Sequence, residues 1–109
     1  MATVYKVLGQ SAPSATTDTT LYTVPASTSA VTSTISIANR GAVSATYRIA
    51  VRPAGASIAT SHYIAYDSTV APNDGILLTI GITLATTDVV TVRASTADLT
   101  FSLFGSEIS

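Results

Sequence analysis

Residues 30–52 read AVTSTISIANRGAVSATYRIAVR. Two runs alternate in steps of two, the side-chain period of an extended strand. In the first, Val31, Ser33, Ile35 and Ile37 share one face, and Thr32, Thr34, Ser36 and Ala38 the other. In the second, Ala45, Tyr47, Ile49 and Val51 oppose Thr46, Arg48, Ala50 and Arg52. The Asn39-Arg40-Gly41 step between them supplies residues that tolerate positive φ. The stretch predicts a β-hairpin with one apolar face.

The rest of the chain follows the same rule. Strands are expected at 3–8, 21–25, 61–67, 76–84, 89–94 and 99–105, with His62 inside the third of these. Pro25 stops the strand before it, because proline cannot donate to a ladder. "PAGAS" (53–57) and "APNDG" (71–75) are turn signals, and Gly81 marks a bulge or bend within 76–84. No segment carries a 3.6-residue period. Seven to eight short strands with turns at short, regular spacing predict an all-β fold. The expected architecture is an antiparallel β-sandwich or jelly-roll-like barrel. Residues 1–20 are expected to form an N-terminal strand and extended arm, and 21–109 the β-sandwich domain.

Composition restricts function. The chain has 109 residues, 10% of them charged, and a net charge of −1, against about 25% charged in ordinary soluble domains. That balance favours neither nucleic acid nor an anionic membrane. The longest apolar stretch, near 75–87, is interrupted by threonines and is shorter than the ~20 residues of a spanning helix. A folded chain with so few charges is expected to live in an assembly that covers part of its surface.

Groups for catalysis are sparse. There is no cysteine and one histidine, His62, so zinc and thiol chemistry lack ligands. Asp74, Asp88 and Asp98 fall at predicted turns, where aspartate bonds its own backbone. No loop gathers the carboxylates of a calcium site. No Gly-x-Ser-x-Gly elbow or phosphate-binding glycine loop occurs. The reading is a protein without enzymatic activity, metal or cofactor.

Three segments resemble small β-rich virion structural proteins of tailed bacteriophages. They are YKVLGQSAPSATTDTTLYTVP (5–25), ISIANRGAVSATYRIAVRPAG (35–55) and LATTDVVTVRASTADLTFSLFGSEI (84–108). The resemblance implies a virion component made in the bacterial host cytoplasm. It is expected to be a capsid decoration (cement) protein, trimeric, bound to the major capsid protein or other virion proteins. A tail-fibre or baseplate component that attaches to the host is the other role; Tyr63 and Tyr66 are its candidate contacts, core packing being the leading reading of both. Candidate interface residues are Val4, Tyr5, Lys6 and Val7 of the first strand, with Arg48 and Arg52. These two arginines share a strand face about 13 Å apart. Each is read either as part of a solvated face or as a partner for carboxylates of a neighbouring subunit.

Overall fold

The computed structural model describes residues 2–109. Eight strands follow one another: β1 (Thr3–Ser11), β2 (Thr19–Thr23), β3 (Ser29–Asn39), β4 (Ala45–Arg52), β5 (Tyr63–Val70), β6 (Gly75–Leu84), β7 (Val89–Ala94) and β8 (Leu99–Ile108). Two single 3-10 turns, Pro53–Gly55 and Thr60–His62, complete the regular structure. The strands form two antiparallel four-stranded sheets, ordered β1-β8-β3-β6 and β2-β7-β4-β5. Only β4 and β5 are joined within one sheet; every other connection crosses between sheets. This is the order of an eight-stranded jelly roll, a form of β-sandwich.

The expected hairpin at 30–52 is therefore not formed, since β3 and β4 lie in different sheets. Both edges of β3 are already taken, by β6 and β8. Asn39, 3% exposed, turns the chain over the end of the sandwich. Its Nδ2 donates to the carbonyls of Val43, Val70 and Ala71, and its Oδ1 accepts from the Gly41 N–H.

The face assignment in β3 also changes part-way. Ala30, Thr32, Ile35 and Ile37 point into the core, while Val31 is exposed. A bulge at Ser33, opposite the Phe104–Gly105 step of β8, shifts the alternation by one residue. Leu8 makes a similar bulge in β1 against β8, and β6 carries an extra residue near Gly81 relative to β3. The Thr32 hydroxyl closes that last irregularity. It donates to the Ile80 carbonyl and accepts from the Ile82 N–H. The bulges thus lie along one line across the sheet, where they let it bend.

The expected N-terminal strand forms and runs further than expected, over Thr3–Ser11, which shortens the expected arm. Thr3–Ser11 pairs with β8 along its length, so it is an edge strand of the sandwich. Only 12–18 is a connection, and it is pinned by the buried Pro13 and by the Thr16 N–H donating to the Ala94 carbonyl. Met1 lies outside the described residues. The two edge strands on this side approach closely. A Cβ at Gly9 would collide with the Leu21 carbonyl oxygen.

Between the sheets, Ile35, Ile37, Leu99, Phe101 and Leu103 of one pack on Tyr47, Ile49, Val90 and Val92 of the other. Tyr47 meets Phe101 edge-on, with ring centroids 6.4 Å apart. Burying side chains of this size contributes roughly 1.5–3 kcal/mol each before the entropy of ordering them.

Candidate functional site

Two surfaces carry the residues singled out in the sequence. The first is the outer face of the β1-β8-β3 sheet. Alternation along β1 splits the expected group of four. Tyr5 and Val7 point outward, beside Phe104, Ser106 and Val31 of the adjoining strands. Tyr5 is 83% exposed, and Val7 and Val31 are exposed as well. With Lys6 and Ser33 at its margins, this face forms a shallow groove of about 500 Å³.

Val4 and Lys6 belong to the other side of β1. There the Lys6 ammonium meets Glu107 at 3.1 Å. Glu107 also accepts the Tyr22 hydroxyl, which comes from the opposite sheet. This hydrogen bond, reinforced by Lys6, holds the Glu107 carboxyl below its ordinary range. Burial, then the bond to Glu107 and its charge, push the Tyr22 phenol upward.

The second surface is the outer face of β4 and its neighbours. Arg48 makes a two-pronged contact with Asp67, Nε to Oδ1 at 2.7 Å and one terminal nitrogen to Oδ2 at 3.2 Å. Its guanidinium also stacks over the Tyr66 ring, 4.1 Å from the centroid, a cation–π arrangement. Tyr66 in turn packs edge-on against Tyr63 at 4.9 Å. The backbone of β5 creates this cluster. An extra residue at 66–67 opposes the Tyr47–Ile49 step of β4, with Asp67 at φ 52°, a conformation aspartate tolerates better than most residues. The contact with Arg48 lowers the Asp67 carboxyl and raises the Arg48 guanidinium from their ordinary values.

Arg52 has a different task. Its Nε donates to the Thr91 hydroxyl and a terminal nitrogen donates to the Ala56 carbonyl. It ties the 53–59 segment to the sheet. The two arginines that share a face in the sequence therefore have separate partners, both within the chain.

Sequence reasoning missed Arg93, which lies directly opposite Arg48 in the ladder. Like charges in that position repel. Asp67 at Arg48 and Asp18, 3.8 Å from Arg93, offset the repulsion. Thr16, Thr46, Arg48, Asp67, Arg93 and Ser95 surround a depression of about 280 Å³, with two guanidinium groups and one carboxylate in its wall. The signal for the cluster was the polar Tyr66-Asp67 pair interrupting an alternating strand.

His62 ends a 3-10 turn instead of lying within a strand, and its Nδ1 accepts the Ala59 N–H. Asp74 and Asp88 serve their turns as expected: Asp74 accepts from the Gly75 N–H, and Asp88 from Ala54 and Ala85. Among the described residues, no three His, Asp or Glu side chains converge as metal ligands, and no helix is long and apolar enough to cross a membrane. Comparison with protein-family models, curated proteins and solved structures finds no match.

Proposed function

We propose that this protein is a non-enzymatic structural subunit of a phage virion, of the capsid decoration type. It docks through the outer face of the β1-β8-β3 sheet. The observation that carries this reading is the patch made by exposed Tyr5, Val7 and Val31 beside half-buried Phe104, on a face with almost no charge. Contiguous apolar surface of this kind marks protein–protein contact sites. The resemblance of residues 5–25, 35–55 and 84–108 to phage virion proteins supplies the particle. The jelly-roll order is one that viral capsid domains also use, an analogy of fold that lends support and no more.

The action is mechanical. Each copy adds buried surface between capsid subunits, of the order of ~800 Å² per partner for a stable contact. Repetition over a symmetric shell makes modest contacts collectively strong. The partners are the major capsid protein and further copies of this chain. Particles lacking the protein are the test. Added protein should bind in hundreds of copies, and Tyr5→Ser with Val7→Ser should abolish binding while the thermal midpoint stays near that of the wild type. Unchanged binding would overturn the docking face.

A second reading, a tail-fibre or baseplate component, draws on Tyr66. Its ring is 55% exposed although Arg48 stacks on it, as a contact residue for a host surface would be. A handful of copies per particle would favour this reading over decoration.

A further inference from the structure

The two lateral edges of the sandwich are unlike. On one side β1 and β2 close on each other at Gly9 and Leu21. On the other, β5 and β6 stand apart, and a cleft of about 270 Å³ opens between them. Ile49, Ile64, Ala65, Leu78, Ile80 and Ile82 line it. Ile64 is 50% exposed at its mouth, and Ile76, Leu78, Ile80 and Ile82 of β6 are only partly buried. The core is open to water along this edge.

β6 is also an unpaired edge. Among the described residues it bonds to β3 on one side and to nothing on the other. Its sequence, GILLTIGITL, has no charge and no proline. Edge strands of soluble proteins are usually guarded by lysine, proline or a disrupting bulge. The irregularity near Gly81 does not guard this one, because it faces β3 and Thr32 fills it. The in-and-out alternation runs unbroken through β6.

We propose that β6 pairs with β6 of a second copy of this chain, antiparallel about a two-fold axis, with Ile80 opposite the same residue of the other copy. In that register Ile76 meets Leu84 and Leu78 meets Ile82 on the inner face. Leu77 meets Thr83 and Thr79 meets Gly81 on the outer face. Every inner pair is aliphatic. A register centred on Thr79 would set Asp74 against Leu84, so the Ile80 register is the favoured one. The area suffices. Ten residues span ~34 Å, and with the smallest cross-section of the molecule, 19 Å, the edge offers about 650 Å² per partner. Standard stable interfaces bury ~600–1,000 Å² per partner. The contact is isologous and closes on itself. It joins copies two by two, not in the three-fold ring that the resemblance implies. It stands on β6 alone: a dimer with no affinity for virion proteins would uphold it while removing the particle reading.

The chain has no cysteine, so a single introduced one reports register. In Ile80→Cys the two Cα atoms would sit ~4.5–5.5 Å apart, within disulfide range. Mild oxidation should give a covalent dimer. Leu77→Cys places its two copies ~20 Å apart and should stay uncross-linked. A Cβ at Gly81 meets nothing within 4 Å, so Gly81→Lys leaves the fold intact. By sedimentation velocity it should weaken dimerisation of the full chain about tenfold or more. A monomer at millimolar concentration, a trimer, or equal cross-linking of both cysteine variants would overturn the proposal.

Discussion

The Tyr22 hydroxyl donates to the Glu107 carboxylate from the facing sheet, 2.5 Å between the oxygens. Both groups lie near the end of the sandwich where the bulges of β1 and β3 bend the sheet. Lys6 completes the arrangement from β1. Three strands are thus linked by one carboxylate. Tyr22→Phe should lower stability by about 1.5–3 kcal/mol in denaturant titration, the range for a hydrogen bond to a charged group.

Acid should reveal the same link. The Glu107 carboxyl is held below its ordinary range, first by Tyr22 and then by Lys6. Its contribution is therefore full above the unfolded value, ~4.3, and is lost as pH falls through the lower folded value. The gap in thermal midpoint between the wild type and Glu107→Gln should be widest near neutral pH and close below about pH 4. A gap that persists unchanged into acid would mean that the charge of Glu107 contributes nothing.

Asn39 should be the most sensitive polar position. Three carbonyls share its amide as donor, and the Gly41 N–H depends on its oxygen. Asn39→Ala should cost about 2–4 kcal/mol, because buried partners lose their hydrogen bonds and have little access to water. Asn39→Asp should be worse at neutral pH than in acid, since an ionised carboxylate would face three carbonyl oxygens.

Two strand glycines should respond with opposite sign. A Cβ at Gly105 would strike the Val31 carbonyl and come within 2.9 Å of the Thr32 Cα. Gly105→Ala should destabilise by about 2–4 kcal/mol, because backbone atoms must move. Gly81 has open space around it and no positive φ. Gly81→Ala should stabilise by about 0.5–1 kcal/mol. Equal effects at the two positions would refute the bulge geometry at Gly105.

The contrast shows what the sequence could reveal. Alternation identified β4 and its inward residues Tyr47 and Ile49, because that face is set by a local period. It misplaced Val31 and Thr32, because a single bulge at Ser33 inverts the period and leaves no mark in composition. The hairpin at 30–52 was expected because adjacent strands often pair. Here the Asn39 side chain, a non-local partner of Val70 and Ala71, sends β4 to the other sheet. Arg48 and Arg52 looked alike in the sequence. Their roles separated only when a backbone irregularity in β5 brought Asp67 to one of them. The pairing of Tyr22 with Glu107 spans 85 positions, beyond the reach of any local pattern.

Arg48 and Arg52 should therefore part company when substituted. Arg52 secures the 53–59 segment through the Ala56 carbonyl, so Arg52→Ala should speed amide exchange and proteolysis there while the sheets stay protected. Arg48 secures Asp67 instead. The lowered Asp67 carboxyl supports the fold above its unfolded value, ~3.9, and loses that role as pH falls through the folded value. The difference in thermal midpoint between the wild type and Arg48→Ala should accordingly shrink in acid and in high salt, where exposed pairs are screened. Neither substitution touches β6, so dimerisation measured by sedimentation should be unchanged in both. Loss of the dimer in Arg48→Ala alone would move the intersubunit contact from the β6 edge to the outer face of β4.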